Sequence, residues 1–219
     1  MVARFSFEVG DVGTTALSYS AAAPRATLIL GHGAGAPQTH PWMVAMATAL
    51  ASRGIDVVTF NFLYTEAKRR APDRNDALEA TWRAAIAAVG ARAASLPLFA
   101  GGKSMGGRIA TQVVAQGGVD VSGLVLLGYP LHPPGKPTQL RVAHLPRVDV
   151  PMLFVQGSRD SFGTPEELRP HLAGLAKGTR LYVVEGGDHS LSLPRSSGQT
   201  RDAILGRVAD EVAAFIASR

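Results

Sequence analysis

Residues 98–107 read Leu-Phe-Ala-Gly-Gly-Lys-Ser-Met-Gly-Gly, a short apolar run that passes straight into a glycine-rich turn. Ser104 lies in this turn between Gly102 and Gly106, in the pattern G-x-S-x-G. When a strand turns sharply into a helix, both flanking positions must be small because the two backbones nearly touch there. The pattern therefore predicts a strand, a strained turn that exposes the hydroxyl of Ser104, and then a helix.

Apolar runs of strand length alternate with helix-period segments along the rest of the chain. The predicted strands are Phe5–Val9, Thr27–Leu30, Asp56–Phe60, Leu98–Ala100, Gly123–Leu127, Met152–Val155 and Leu181–Val184. The predicted helices are Met43–Arg53, Ala77–Gly90, Ile109–Ala115 and Asp202–Ala217. Most strands are apolar throughout, which is typical of strands covered on both faces. We therefore expect a single α/β domain over residues 1–219, with a mostly parallel central sheet flanked by helices on both faces.

Reactive side chains follow two further predicted strands. Asp160 comes after Met152–Val155, and His189 comes after Leu181–Val184. The carboxyl ends of parallel strands lie at one edge of the sheet, so these two loops and the Ser104 turn should meet there. The chain order serine, acid, histidine is one in which catalytic triads occur. It predicts Ser104 as nucleophile, His189 as its base and Asp160 as the orienting acid; Asp188 is the alternative acid, but it adjoins His189 in sequence.

The loop after the second predicted strand reads Gly31-His32-Gly33-Ala34-Gly35-Ala36. A turn of such small residues can point a backbone N–H at a carbonyl oxygen, and we expect that of Ala34 to do so. The N–H of Met105, at the start of the helix after Ser104, would be the second donor, favoured by the helix dipole. The two residues are the predicted oxyanion hole, and His32 is expected to be a structural loop residue.

Two nucleotide-binding patterns compete with this interpretation. Residues 31–36 fit the dinucleotide fingerprint G-x-G-x-x-A, but Pro37 delays the helix that should open inside it, and the next strand ends without an acid for the ribose. Residues 102–104 match the end of a P-loop, but Pro97 occupies the place of its first glycine. The sequence therefore disfavours both nucleotide sites.

Six short segments carry a resemblance to known proteins: Gly31–Gly35, Phe60–Phe62, Gly102–Gly106, Gly128–Pro137, Gly157–Asp160 and Gly187–His189. Through them nearly the whole chain resembles the α/β-hydrolase superfamily, and more narrowly the small dienelactone-hydrolase-like group that includes the testis-expressed-protein-type hydrolases. The resemblance implies the α/β-hydrolase fold and cleavage of a small-molecule carboxylic ester or thioester through an acyl-enzyme intermediate. Dienelactone hydrolases use a cysteine nucleophile, whereas this chain has Ser104, which points to ordinary esters or thioesters. Some relatives work in complexes, so a catalytically silent interaction module is the alternative.

The segment between Gly128 and Val150 determines how open the site is. It is short and contains five prolines, which resist helix formation, so we predict a stiff loop and no large cap domain. An open site of this kind suits small acyl groups. His132, Tyr64 and Trp42 are candidate substrate-binding residues because they follow strands on the predicted catalytic side. The basic run Lys68-Arg69-Arg70 is most simply a solvated loop.

Composition excludes several classes of protein and site. The chain has no cysteine, so it has no disulfide, thiolate metal site or cysteine nucleophile. The formal net charge of +5 is spread thinly and does not indicate a nucleic-acid partner. No histidine pair has metal-ligand spacing, so we expect neither a metal nor a cofactor. The start has no leader-like pattern and no apolar run reaches about 18 residues, so we expect a cytoplasmic monomer or homodimer with no membrane partner.

Overall fold

The computed structural model describes residues 1–93 and 96–219 of the chain. Over these residues eight strands form a sheet in the spatial order β1-β2-β4-β3-β5-β6-β7-β8. The strands are β1 (Val2–Val9), β2 (Val12–Tyr19), β3 (Ala26–Gly31), β4 (Ile55–Phe60), β5 (Leu98–Lys103), β6 (Gly123–Leu127), β7 (Met152–Gly157) and β8 (Arg180–Val184). Neighbours from β4 to β8 are parallel, whereas β2 is antiparallel to both β1 and β4. The predicted mostly parallel sheet is confirmed.

Helices cover both faces of the sheet. On one face α1 (Pro41–Ala51) packs beside α6 (Arg201–Ala217), and on the other α3 (Asn75–Gly90) packs beside α4 (Met105–Gln116). The single-turn helices α2 (Leu63–Glu66) and α5 (Pro165–Leu168) lie in the connections after β4 and β7. Within residues 1–93 and 96–219, no helix combines the length and the apolar character that crossing a membrane requires.

Two apolar layers fill the space between the sheet and the helices. Alternate residues of a strand enter different layers: Leu124 and Leu126 face α3 and α4, whereas Val125 and Leu127 face α1 and α6. All four side chains are fully buried. Because both faces of the sheet are covered, a strand such as β6 is apolar at every position. Each buried side chain of this size contributes about 1.5–3 kcal/mol to stability, which fixes the strand ends that carry the site.

The connection between β6 and β7 leaves the carboxyl edge of the sheet uncovered. In residues 128–151, all of them described, the regular structure is a 3-10 turn at Leu145–Arg147. The prediction that there is no large cap domain is confirmed. Proline has no N–H and fixes φ, which explains why no α-helix forms in this segment.

The first hairpin is the main difference between the sequence prediction and the structure. β1 begins at Val2 rather than Phe5, and Gly10 and Asp11 join it to β2, which the sequence analysis does not predict. Two of the three buried positions in β2 hold Thr14 and Ala16. Its apolar alternation is therefore too weak to be recognised as a strand.

Strand β5 also extends beyond its predicted end. It reaches Lys103 rather than Ala100, because Gly101 and Gly102 pair with both β3 and β6. Helix α4 correspondingly begins at Met105 rather than Ile109. The turn between strand and helix is thereby confined to Ser104.

Candidate active site

Ser104 is held in a strained turn between β5 and α4. Its backbone has φ +50° and ψ −115°, a conformation that non-glycine residues rarely adopt. A Cβ atom added to Gly102 would lie 2.2 Å from the carbonyl oxygen of Gly31, and one added to Gly106 would lie 2.3 Å from the same oxygen. The backbone N–H of Ser104 donates to the carbonyl oxygen of Leu127 at 2.9 Å. The glycines are thus required by close backbone approach, and a strained residue in such a position points to a functional role.

A continuous chain of hydrogen bonds joins Ser104, His189 and Asp160. Nε2 of His189 lies 2.8 Å from Oγ of Ser104. Nδ1 of His189 lies 2.9 and 2.8 Å from the two carboxylate oxygens of Asp160. Because an ionised carboxylate can only accept, the proton of the neutral ring is on Nδ1, and Nε2 accepts from the hydroxyl. The structure therefore brings together the three side chains predicted as nucleophile, base and acid.

The carboxylate of Asp160 is buried and its position is fixed. Its side chain is 0% exposed. Oδ1 accepts the backbone N–H of Phe162 at 2.8 Å, and Oδ2 accepts from Nε2 of Gln156 at 2.9 Å. The orientation of the Gln156 amide is set by its oxygen, which accepts the N–H of Tyr129 at 2.8 Å. A buried carboxylate requires donors of this kind, and here they also hold it against the imidazole.

The loop that carries His189 is organised by its neighbour Asp188. Oδ1 of Asp188 accepts the backbone N–H groups of Ser190 and Ser192 at 2.8 and 2.9 Å. The ring of Phe162 stacks on the imidazole, with centroids 4.1 Å apart and planes inclined by 26°. Asp188 thus bonds to the backbone of its own loop, and the carboxylate that reaches the imidazole is that of Asp160.

Two backbone segments border the hydroxyl of Ser104. Met105 is the first residue of α4, so its N–H has no acceptor within the helix and lies at the positive end of the helix dipole. Across the hydroxyl, a Cβ atom added to Gly33 would lie 3.6 Å from Cβ of Ser104. Ala34 lines the same cavity as Ser104 and Met105. The two residues predicted to supply the oxyanion hole therefore lie beside the candidate nucleophile.

His32 anchors the loop that carries Gly33 and Ala34. Its side chain is fully buried. Nδ1 lies 2.8 Å from the carbonyl oxygen of Gly33, and the backbone N–H of Phe62 donates to Nε2 at 3.2 Å. The ring is therefore neutral, with its proton on Nδ1. Burial lowers the pKa of His32 to about 4, against a weaker opposite effect of the bond to Gly33.

The buried imidazole of His32 predicts a loss of stability in mild acid. The unfolded chain binds this proton near pH 6.5, whereas the folded chain resists it until about pH 4. More protons bind to the unfolded state in that window. The contribution of His32 to the free energy of unfolding is therefore complete above pH 6.5 and is lost as the pH decreases toward 4. The difference between the two pKa values corresponds to a loss of about 3 kcal/mol in the free energy of unfolding.

We expect His32→Asn to be less stable than the wild type at pH 7.5 but to lose less stability between pH 7.5 and 4.5, as measured by urea unfolding. Some loss should remain in the variant, because burial also lowers the pKa of His144 to about 4. His171, in the 3-10 turn Arg169–His171, provides the matched control His171→Asn. An unchanged pH dependence in His32→Asn would show that another group causes it.

A cavity of about 520 Å³ opens at Ser104. Its lining includes two of the predicted triad residues, Ser104 and His189. It also includes the stacked ring of Phe162 and three basic side chains, Lys103, Arg108 and Arg141. A second cavity of about 300 Å³ shares Gly33, Ala34 and Lys103 with the first. A larger groove of about 780 Å³ lies at the amino ends of β5 and β6, at the edge of the sheet opposite Ser104. The two adjoining cavities at the carboxyl edge, next to Ser104 and His189, are therefore the candidate substrate site.

The three residues predicted to bind substrate occupy different positions. Trp42 lines the second cavity, and its Nε1–H donates to the carbonyl oxygen of Ser190 at 2.9 Å. Tyr64 is 1% exposed and packs against His32, with the two ring centroids 6.0 Å apart. His132 is 5% exposed, with Nε2 3.4 Å from a carboxylate oxygen of Glu167. The structure thus brings Trp42 to the site, whereas Tyr64 and His132 are interior side chains that do not line either cavity.

Other residues at the site are not predicted by the sequence analysis. Arg108 and Arg141 line the Ser104 cavity, and Phe162 covers the imidazole. Arg108 lies four residues after Ser104 and directly before the predicted helix Ile109–Ala115, and this spacing of about one helical turn is a signal that could have placed it beside Ser104. Arg141 and Phe162 lie in irregular loops, so spacing gives no such signal. Lys68-Arg69-Arg70 is an exposed loop in which Arg69 pairs with Asp73.

No metal site accompanies this arrangement in residues 1–93 and 96–219: no three His, Asp or Glu side chains there are grouped to hold an ion. Lys103 directly precedes Ser104, and its Nζ lies 3.3 Å from Oγ of Ser190 and 5.4 Å from the ring centroid of Trp42. Burial lowers the pKa of Lys103, and the charges of Asp188 and Asp160 oppose that shift.

Several solved structures share this fold over almost their whole length. A dienelactone hydrolase from Anabaena variabilis is 19% identical with a TM-score of 0.78, covering 100% of this chain and 97% of its own. An α/β serine hydrolase homologue from Coxiella burnetii is 17% identical with a TM-score of 0.76, and the match covers 97% of this chain and 96% of that protein. An α/β serine hydrolase without a lid from Xanthomonas campestris is 18% identical with a TM-score of 0.75, and the match covers 99% of this chain and 94% of that protein. At these identities the likeness establishes the fold alone.

The sequence itself matches a family. The model of the family described as "Alpha/beta hydrolase domain" matches residues 24–217, which include every strand from β3 to β8 and the three predicted triad residues. The fold, its uncovered carboxyl edge and this match agree, and the chain belongs to the alpha/beta hydrolase family.

Proposed function

We propose that the chain is a serine hydrolase that cleaves small carboxylic esters or thioesters through an acyl-enzyme intermediate. The observation that supports this most directly is the unbroken chain of hydrogen bonds from the Ser104 hydroxyl through His189 to the buried carboxylate of Asp160. A purely structural loop gains nothing from a strained serine whose hydroxyl is bonded to an oriented imidazole.

The first step of the proposed mechanism is attack by Ser104 on the acyl carbonyl. Nε2 of His189 takes the hydroxyl proton, and Asp160 stabilises the resulting imidazolium while keeping the ring in place. The oxygen of the tetrahedral intermediate is negatively charged, and the N–H groups of Ala34 and Met105 would stabilise it. The removal of one donor of this kind typically costs about 3–4 kcal/mol in the transition state.

In the second half of the reaction the imidazolium of His189 protonates the leaving group. The same nitrogen, neutral again, then takes a proton from water as the water attacks the acyl-enzyme. When the acid product leaves, the imidazolium returns this proton to Oγ of Ser104, which regenerates the hydroxyl. These reaction steps use side chains and backbone amides of the chain together with water. The uncovered cavity at Ser104 favours small acyl groups, because no cap is present to enclose a long chain.

A fluorophosphonate probe tests the proposal, because it labels only a serine that is activated as a nucleophile. We expect labelling of the wild type at a single residue, Ser104, and no labelling of Ser104→Ala or His189→Ala. Wild-type protein that is folded but remains unlabelled would contradict the proposal and favour the catalytically silent interaction module.

A further inference from the structure

Two arginines enter the Ser104 cavity from different parts of the fold. Arg108 lies on the first turn of α4, and its backbone N–H donates to the carbonyl oxygen of Ser104 at 3.0 Å. Arg141 lies in the connection between β6 and β7. Its N–H donates to the carbonyl of Leu131 at 2.8 Å, and its carbonyl accepts from the hydroxyl of Tyr129 at 2.7 Å. Both arginines are therefore attached to fixed backbone next to the candidate nucleophile.

Neither guanidinium has an anionic partner within the protein. Arg108 donates to the amide oxygen of Gln112 at 3.2 Å. In the part of the chain that the structure describes, no carboxylate oxygen lies within 4 Å of the side-chain nitrogens of either arginine. Asp73 also lines the cavity, but its carboxylate is engaged by the side chain of Arg69 and by the backbone N–H of Tyr64. The cavity is thus lined by two guanidiniums that form no ion pair with a carboxylate of the described residues.

This arrangement is electrostatically unfavourable when the cavity is empty of anions. Both arginines are half-buried. Burial lowers the pKa of Arg108, and the like charge of Arg141 lowers it further, whereas Tyr129 and the charge of Glu79 act in the opposite direction. Lys103 adds a third cation to the same lining. An anion bound between the arginines would relieve this repulsion, and the planar guanidinium matches a carboxylate with two parallel hydrogen bonds.

We propose that Arg108 and Arg141 bind a carboxylate group of the substrate, so that the preferred substrates are esters that carry a negative charge. The inference rests on the proposed hydrolase function, since it assigns a substrate class to the same cavity. The carboxylate belongs either to the acyl part or to the alcohol part of the ester, and each source has its own arm in the test.

Two pairs of esters test the proposal, and in each pair an anionic ester is compared with a neutral ester of similar size. For the acyl part, mono-p-nitrophenyl glutarate is compared with p-nitrophenyl valerate, and for the alcohol part, 4-acetoxybenzoate is compared with phenyl acetate, all corrected for spontaneous hydrolysis. In at least one pair we expect kcat/KM to be about ten- to hundredfold higher for the anionic ester, the range expected for hydrogen bonds to a charged group. The preference should shrink as the salt concentration rises.

The variants Arg108→Gln and Arg141→Gln should each lose about tenfold in kcat/KM for the preferred anionic ester, and less than about threefold for its neutral partner. Arg207→Gln removes the same charge from the exposed face of α6 and is the matched control. Melting curves show whether each variant is folded. If Arg108→Gln unfolds, Arg141→Gln still tests the proposal, because Arg141 lies in a loop. The inference would be overturned if kcat/KM for the neutral ester equalled or exceeded that for its anionic partner in both pairs. It would also be overturned if the preference for the anionic ester survived both substitutions.

A binding measurement keeps this inference distinct from the proposed function. Isothermal titration of glutarate and of 4-hydroxybenzoate into Ser104→Ala requires no chemistry. At least one should bind, and its binding should weaken about tenfold when Arg108→Gln or Arg141→Gln is added. Binding lost with the arginines supports the anion site even if no ester is hydrolysed, whereas binding that is absent or independent of both arginines contradicts it. Labelling of Ser104 by the fluorophosphonate, in contrast, reports on the proposed function alone.

Discussion

Replacement of Ser104 by alanine is expected to reduce kcat for a small p-nitrophenyl ester by about 10⁵- to 10⁶-fold, the loss typical when the serine of a catalytic triad is removed. The proposed acyl-enzyme forms through the oxygen that the substitution removes, and Nε2 of His189 loses the hydroxyl that it activates. Alanine keeps the Cβ atom and therefore tolerates φ +50° no better and no worse than serine. The fold should be unchanged, which melting curves will show.

Ser196→Ala is the matched control for this variant. Ser196 lies in the exposed 3-10 turn Arg195–Ser197, away from both cavities, so the substitution should leave kcat unchanged. The measurement is the steady-state hydrolysis of p-nitrophenyl acetate by equal amounts of wild type and both variants. If purified Ser104→Ala retained substantial turnover, the role of Ser104 as nucleophile would be wrong.

The fold is predictable from the sequence wherever both faces of a strand are buried. Strands such as β6 are apolar at each position because helices cover both sides. Seven of the eight strands are predicted, including β1 at the sheet edge, which buries only Phe7 and Val9. The exception is β2, where the interior accepts Thr14 and Ala16 because the strand lies near the sheet edge and buries little. Edge hairpins of this kind depend on pairing with a neighbour, which no local apolar pattern records.

The candidate site is predictable only where its residues follow from steric or topological rules. The glycines around Ser104 follow from close backbone approach, and the loops of Asp160 and His189 follow from the shared edge of parallel strands. These rules do not determine whether the side chain of a residue in a connection lines the cavity or is buried in the interior. Tyr64 and His132 lie in connections on the catalytic side, yet both side chains are buried in the interior. Arg141, in contrast, reaches the cavity from a loop whose path the sequence does not specify.

Asp160→Asn is expected to lower kcat by about 10⁴-fold, the loss known for the corresponding change in a serine protease triad. The carboxylate of Asp160 keeps the His189 proton on Nδ1, which leaves Nε2 free to accept the proton of Ser104. The substitution also introduces an NH₂ group where the N–H of Phe162 and the amide of Gln156 already donate. Any orientation of the new amide therefore either faces a donor with a donor or turns the imidazole to the wrong tautomer.

Asp188→Asn separates the role of Asp160 from a general effect of removing a negative charge near His189. The bonds of Asp188 to Ser190 and Ser192 use a single oxygen, which an amide carbonyl retains, so the His189 loop should keep its shape and kcat should fall by less than about tenfold. The two variants remove the same charge at neighbouring positions around one imidazole, so the ratio of their kcat values measures orientation of the base rather than electrostatics at large. A severe loss in Asp188→Asn combined with near wild-type kcat in Asp160→Asn would reverse the assignment, because the acid that fixes the tautomer would then be the sequence neighbour of His189.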